Sequence, residues 1–346
     1  MTWRWRCSNG QGNFRKINLR KEGIVMKKFA KVLCAIVALG LLVSSMALAE
    51  GYNIGVIQYA SHPSLDNCYT GFLQGLDAAG VEYEVDFQNA MGDMSNSDLQ
   101  AKTMASQGVD MIVAIATPAA MSAYAAAREE EVPVVFVAVS DAVAAGIVQS
   151  NEQPGGCCTG VSDVLNLEAQ VQMIRAFLPD AATIGVIYTT SEPNSITHLE
   201  KLESIAPEYG FAVEAVGITG PSEVAAAAAT LVSKGVDCIN NFTDNNVVDN
   251  LSVVLHAADE AGIPVFGSEE EQVKNGCLAT QGIDYISLGE AAGQMAGEIL
   301  SGADPAQTPV ALVDEVTPYY NSQVAQKLGI EVPQELLDAG MADLAE

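Results

Sequence analysis

The chain carries one strand–turn–helix signature twice. Ile54-Gly55-Val56-Ile57 is followed by three residues and then Ser61-His62-Pro63, and 130 residues later Ile184-Gly185-Val186-Ile187 is followed by three residues and then Ser191-Glu192-Pro193. A short apolar run of this kind reads as a buried strand, and a proline just past the polar turn suits the first turn of a helix. The repeat extends further. Ser106-Gln107-Gly108-Val109-Asp110 matches Ser233-Lys234-Gly235-Val236-Asp237, and Val132-Pro133-Val134-Val135-Phe136 matches Gly262-Ile263-Pro264-Val265-Phe266. Shared Gly, Pro and Asp punctuation points to a duplicated unit, and hence to two similar lobes whose polar turns face one ligand.

From Tyr52 onward strand and helix patterns alternate, which is the sequence sign of a parallel sheet with helices on both faces. Strands are expected at 53–58, 81–88, 110–116 and 132–139, with helices at 65–79, 95–107 and 119–130 between them. Residues 153–160 are Gly-rich and read as a boundary. The alternation then restarts, with helices at 165–178, 195–209, 222–234 and 247–261 and strands at 183–188, 211–216, 236–241 and 264–268. A strand at 278–283, a helix at 285–300 and an extended run at 308–316 must pack on one lobe or the other, so the chain crosses between lobes more than once. The fold class is α/β, with two lobes built on parallel sheets.

The first 49 residues read differently. Met26-Lys27-Lys28-Phe29-Ala30-Lys31 is a basic segment, 32–43 is apolar, and Ala47-Leu48-Ala49 has the form of a cleavage site, so 26–49 is an export signal cleaved after Ala49. Residues 1–25 do not resemble such a signal's short basic start and are read as a mis-assigned upstream start, with Met26 the true first residue. Of 16 Lys and Arg and 43 Asp and Glu, nine basic residues but one acid precede Glu50, leaving a net charge of −35 on the exported chain. Such a field repels nucleic acid and anionic lipid and favours solubility. Cys68, Cys157, Cys158, Cys238 and Cys277 are odd in number and irregular in spacing, which is no disulfide framework, and with three histidines and no C-x-x-C no metal site is expected.

Ligands of open parallel sheets bind beyond the carboxyl ends of the strands, where helix N-termini carry unpaired N–H groups. The strand ends therefore supply the candidate site: Ser61, His62, Thr117, Pro118, Ser140 and Asp141 from the first half, and Glu192, Asn194, Ser195, Asp244, Asn245 and Glu269 from the second. Small hydroxyl, amide and carboxylate residues also make ordinary helix caps; their recurrence at equivalent ends of both halves favours a shared cleft. No loop carries an arginine clamp, so an anionic group would rest on helix N-termini with Ser, Thr and Asn donors, while Glu192, Asp244, Glu269, Asp141 and Asp163 are acceptors for an ammonium. Carboxylate plus ammonium on a small body describes an amino acid. Tyr59, Tyr188, Phe242 and Tyr285 lie near the same ends and could face a ring. No G-x-S-x-G, phosphate-binding loop or paired Ser–His or Cys–His is found, so neither an enzyme nor a cofactor is expected.

These motifs together resemble the ABC-transporter substrate-binding proteins of the tryptophan/tyrosine type, within the periplasmic-binding-protein type I superfamily. The likeness covers roughly residues 52–330. It is carried by His62-Pro63-Ser64-Leu65-Asp66, Asn89-Ala90-Met91-Gly92-Asp93-Met94-Ser95-Asn96, Ala114-Ile115-Ala116-Thr117-Pro118, Thr159-Gly160-Val161-Ser162-Asp163, Ser191-Glu192-Pro193-Asn194-Ser195, Thr243-Asp244-Asn245 and Leu278-Ala279-Thr280-Gln281-Gly282-Ile283-Asp284-Tyr285. The resemblance implies two Rossmann-like lobes joined by three crossing segments, residues 50–162 with 283–312 forming one and 163–282 with 313–346 the other. It further implies a monomer that delivers a small ligand to a membrane permease driven by an ATPase. It marks Thr117, Asn194, Ser195, Asp244 and Asn245 as ligand contacts, with Ser162, Asp163 and Asp284 at the hinges. Sugar or nucleoside binding on the same fold, and a cleft racemase or isomerase, are the competing readings.

Overall fold

The computed structural model describes residues 51–313 and 316–345; the expected upstream start and export signal lie outside them. Strands and helices alternate through β1 (Tyr52–Gln58), α1 (Pro63–Ala79), β2 (Tyr83–Asn89), α2 (Met94–Gln107), β3 (Met111–Ile115), α3 (Thr117–Ala127), β4 (Val134–Val137) and β5 (Cys158–Asp163). They continue as α4 (Leu167–Phe177), β6 (Thr183–Thr189), α5 (Pro193–Ile205), β7 (Ala212–Ile218), α6 (Val224–Lys234), β8 (Cys238–Asn240), α7 (Asn245–Asp249), α8 (Leu251–Ala261), β9 (Val265–Phe266), α9 (Glu270–Lys274) and β10 (Ala279–Gly282). The chain closes with α10 (Tyr285–Leu300), β11 (Ala311–Val313), β12 (Thr317–Tyr320), α11 (Ser322–Leu328), α12 (Gln334–Asp338) and β13 (Ala342–Asp343).

Two parallel sheets carry the fold. The first runs β11-β5-β4-β3-β1-β2 and the second β7-β6-β8-β9, with a small mixed sheet β10-β12-β13 beside the second. The order β2-β1-β3-β4 in one half recurs as β7-β6-β8-β9 in the other, and the repeated punctuation does the same work in both. Asp110 takes the backbone N–H of Asn53 on its carboxylate (2.7 Å) and returns its own N–H to the Asn53 carbonyl; Asp237 makes the same exchange with Thr183 (2.8 Å). Gly108 and Gly235 end α2 and α6 in the left-handed conformation (φ 70° and 73°), where a residue without Cβ is at ease.

The chain leaves the first sheet after β5, returns to it with β11, and joins β12 to β10 in the third sheet. Two segments depart from the expected pattern. The Gly-rich boundary overlaps β5, a fully buried strand between β4 and β11, where Gly160 lets the backbone lie against the Phe136 ring. The helix expected over 247–261 breaks at Asn250, whose amide bonds back to the Asn246 carbonyl and separates α7 from α8.

Helix α10 packs on α1 backbone to backbone. A Cβ on Gly71 or Gly75 would strike the carbonyls of Ile286 or Glu290, and one on Gly289 or Gly293 those of Cys68 or Phe72. No rotamer change relieves a collision with backbone. Gly289→Ala is expected to lower the unfolding free energy by about 1–3 kcal/mol in denaturant titration, the usual range for overpacking. Gly220→Ala, at an extended position facing open space, should leave it within about 0.5 kcal/mol.

Candidate functional site

Between the carboxyl ends of the two main sheets lies a narrow, partly open cavity. The first lobe's wall begins where β1 turns into α1. Pro63 opens that helix after His62, so His62, Ser64 and Leu65 face the cavity and no side chain caps the helix start. Helix α3 likewise starts uncapped, after Ala116, and Ala116 and Thr117 line the cavity with Ala138 and Ser140 from the end of β4. Ala116 (φ 82°) and Ala138 (φ 57°) both hold positive φ. Strain of this kind costs roughly 1–3 kcal/mol per residue and gathers at ligand sites.

Asn194, Thr243, Asn245, Val248, Glu269 and Gln272 form the second lobe's wall, and carboxylates cap the starts of α7 and α9. Asp244 is the pin of this half. It accepts Thr189 N (2.6 Å), Thr189 Oγ1 (2.8 Å), Ser195 Oγ (2.6 Å) and Val247 N (3.1 Å), tying β6 to the beginnings of α5 and α7. Glu269 caps α9 by accepting Glu271 N and Gln272 N. Glu192, buried behind Asn194 and Asn245, accepts both of their amide nitrogens. Where the chain crosses between sheets, Asp163 accepts Ser140 Oγ (3.0 Å) and Tyr285 Oη (2.7 Å), and both Asp163 and Tyr285 border the cavity.

Six side chains lining this one cavity bring it buried polar atoms without a partner: both His62 ring nitrogens, Ser64 Oγ, Thr117 Oγ1, Asn194 Oδ1, Thr243 Oγ1 and Gln272 Oε1. Buried polar groups are almost always hydrogen-bonded, so such a convergence is the mark of a polar ligand's place. Burial pushes His62 down to about 4, although Asn245 and Asp66 favour its charged form; the ring is neutral. Asn245 and Ser64 lean toward His62 and Glu269 respectively without completing a bond at hydrogen-bonding distance.

Burial also raises the carboxyls, to about 8 for Glu192, about 7 for Glu269 and about 6 for Asp163, and raises Asp244 as well. The mutual repulsion of Glu192 and Asp244 adds to the first, and hydrogen bonds from the neighbours oppose burial in all four. Among the described residues no lysine or arginine forms an ion pair with any of them. Arg175 is spent on the carbonyls of Leu178, Pro179, Ala181 and Tyr209 and stacks on Phe211.

Of the residues expected from sequence, His62, Thr117, Ser140, Asp163, Asn194, Asn245 and Glu269 line the cavity together. Glu192, Ser195 and Asp244 stand behind its wall, bonded to it or to each other. Pro118 occupies the first turn of α3, and Ser162 lies buried in β5 beside Asp163. Ser61 is exposed at the mouth. Asp141 and Asp284 satisfy N–H groups of their own turns, at Ala144 for the first and at Ile286 and Ser287 for the second. Tyr285 reaches the cavity; Tyr59 instead bonds Gly92, and Phe242 packs on His198. Leu65, Ala116, Ala138, Val248 and Gln272 were not anticipated. Alanines at positive φ leave no trace in composition, and Gln272 sits in α9, a one-turn helix too short to register as a periodic pattern.

Two lobes with a polar cavity between the carboxyl ends of their sheets make a cleft-binding receptor of the periplasmic-binding-protein type I fold. The chain belongs to the ABC transporter substrate-binding protein family, whose model matches residues 53–342. It is 38% identical over 283 residues to a tyrosine-binding protein of Clostridioides difficile, covering 81% of each chain. Among solved structures it resembles the ABC domain in complex with L-Trp from Streptococcus pneumonia at 35% identity, with a TM-score of 0.82 over 85% of this chain and 100% of that one. The ligand-free, open structure of a substrate-binding protein with adhesive properties from Clostridium difficile is 37% identical over the same shares, with a TM-score of only 0.64. Of these two solved relatives, the one in complex with L-Trp superposes better than the ligand-free, open one despite nearly equal identity.

The raised carboxyls set a pH dependence. A group whose pKa is higher in the folded protein than in the unfolded chain stabilises the fold fully below its ordinary value, and that stabilisation is lost as pH rises through the folded value. The ordinary values lie near 4 and the folded ones between about 6 and 8. The ligand-free protein should therefore unfold at a higher temperature at pH 5 than at pH 8.5. Glu192→Gln should flatten the part of that slope above pH 7 in a thermal-melt series; an unchanged slope would show that Glu192 does not titrate there.

Proposed function

We propose that this chain is the extracytoplasmic receptor of an ABC importer and binds a single small amino acid, aromatic or apolar, by closure of its two lobes. The carrying observation is the convergence of six partly unsatisfied, buried polar side chains on one cavity between the lobes. Leu65, Ala116, Ala138 and Val248 supply apolar surface for the body of such a ligand. Open starts of α1 and α3 offer N–H groups and positive partial charge to a carboxylate, and the cation-free carboxyls of the second lobe favour an ammonium. The relatives named for tyrosine and solved with L-Trp support the same class of ligand.

We assign 50–162 and 283–312 to lobe one and 163–282 and 313–346 to lobe two; β5 and β11, which pair in the first sheet, each run one residue past these bounds. The ligand favours the closed form and so shifts the open–closed balance, which a membrane permease with its ATPase reads. The receptor acts as an exported monomer after cleavage behind Ala49, and no helix among the described residues is long and apolar enough to cross a membrane. It is a binder and not an enzyme, in keeping with relatives that are substrate-binding proteins.

A thermal-shift panel of the twenty amino acids with common sugars and nucleosides tests this reading. A true ligand at 100-fold over its dissociation constant stabilises by about 2.7 kcal/mol. Response to one or a few amino acids is expected, with tyrosine or tryptophan foremost. Response to a sugar or nucleoside with silence from every amino acid would overturn it.

A further inference from the structure

The two walls of the cavity present different polar groups, although a free hydroxyl, Thr243 Oγ1, stands on the second as well. On the first lobe, Ser64 and Thr117 bring free hydroxyls beside uncapped helix starts. On the second, amide side chains face the cavity with their nitrogens already committed behind them. Asn194 Nδ2 donates to Glu192 Oε2 (3.2 Å) and to the Thr243 carbonyl (3.1 Å), and its Oδ1 is buried without a partner. Asn245 donates Nδ2 (2.7 Å) and its backbone N–H (3.1 Å) to the same Glu192 oxygen. Gln272 Nε2 is held by Ser268 Oγ (3.0 Å) and the Phe242 carbonyl (3.3 Å), leaving Oε1 unpartnered.

An amide has one donor end and one acceptor end, and whichever end is bound behind the wall decides what the ligand meets. We propose that Glu192 is the positioning residue that fixes this wall as an acceptor surface, so that the ligand's ammonium is received by the amide oxygens of lobe two and its carboxylate by the open helix starts of lobe one. The assignment rests on the amino-acid reading given above. Glu192 does not touch the ligand space; it acts through Asn194 and Asn245. Its role survives a change of its own charge. Three N–H groups converge on Oε2, whereas Oε1 meets only Asn246 Nδ2 at 3.4 Å, so a proton taken up by the carboxyl goes to Oε1 and leaves Oε2 an acceptor. Helix α5 also starts without a side-chain cap, but the Glu192 carboxyl stands at its N-cap position and Asp244 lies beside its first turn, where it accepts Ser195 Oγ.

The test compares two substitutions. Glu192→Gln keeps an acceptor behind the asparagines; Glu192→Met keeps the volume and removes it. Isothermal titration with L-tyrosine against 3-(4-hydroxyphenyl)propionate, and L-tryptophan against indole-3-propionate, reads preference for the amine. The wild type should prefer the amino acid by at least 100-fold. Glu192→Gln should keep that ratio within about tenfold, and Glu192→Met should lose at least tenfold more of it while binding the des-amino acid as well as the wild type does. A ratio preserved in Glu192→Met, or lost equally in both variants, overturns the proposal.

A second arm needs neither a ligand nor the methionine variant to fold. In the ligand-free wild type, the side-chain amide resonances of Asn194 and Asn245 should move together as Glu192 titrates near its raised value of about 8, and should stay still in Glu192→Gln. Resonances that stay still while the carboxyl carbon signal of Glu192 itself titrates refute the hydrogen-bonded orientation. Wild-type protein that binds none of the four compounds overturns the amino-acid reading instead, and the resonance titration then decides the orientation alone.

Discussion

Carboxyl groups buried without a cation are the constraint around which the cleft is built. Glu192, Asp244, Glu269 and Asp163 are each essentially inaccessible to solvent, and an isolated buried carboxylate would cost several kcal/mol. Two devices keep that cost tolerable. Backbone and side-chain donors surround each group, four of them on Asp244 alone, and the pKa values rise so that protons can replace missing cations. A ligand bearing a positive charge does the same more effectively. The empty cleft is thus less well balanced than a filled one, and a ligand that supplies positive charge favours the arrangement that holds it.

Duplication supplied the scaffold and divergence at one turn supplied the sign. β1 and β6 both end in a polar turn that delivers proline to the first position of a helix. In the first copy the turn brings His62 and Ser64, a neutral ring and a free hydroxyl. In the second it brings Glu192 and Asn194, an acceptor and the amide it orients. Helix starts that would otherwise be equivalent positive ends become unlike. α1 and α3 start without a side-chain cap while Asp244 and Glu269 cap α7 and α9, so a ligand with two unlike ends has one favoured direction in the cleft.

How far this was legible in the sequence follows from which forces leave a periodic trace. Parallel strands buried on both faces are apolar runs, and the paired Asp110 and Asp237 mark the same backbone exchange in each half, so sheet and strand ends could be read directly. The site was legible as a set of strand ends but not as an arrangement. Whether Asp244 meets the ligand or pins β6 to α5 and α7 depends on where Thr189 and Ser195 lie in space, 55 and 49 residues away. Ala116 and Ala138 fall at the ends of expected strands, and nothing in their side chains announces the positive φ they adopt. β5 was missed because Thr159, Gly160 and Ser162 lack strand-like bulk; its burial between β4 and β11 decides its state.

The contact between α1 and α10 holds the first wall of the cavity in fixed relation to the end of β5. α1 carries His62, Ser64 and Leu65 to the cavity, and α10 begins with Tyr285, which holds Asp163 at the end of β5. Because the two helices meet backbone to backbone at Gly71, Gly75, Gly289 and Gly293, no side chain between them can slip to a new rotamer. The first wall and the end of β5 therefore move as one body. Across the cleft, by contrast, direct side-chain hydrogen bonding is slight: Asn67 reaches Glu271 at 3.3 Å, and His62 and Asn245 approach without completing a bond. A stiff wall on one side and few bonds between the two leave the unsatisfied atoms of the cavity, and hence the ligand that satisfies them, as the main determinant of whether the lobes stay together.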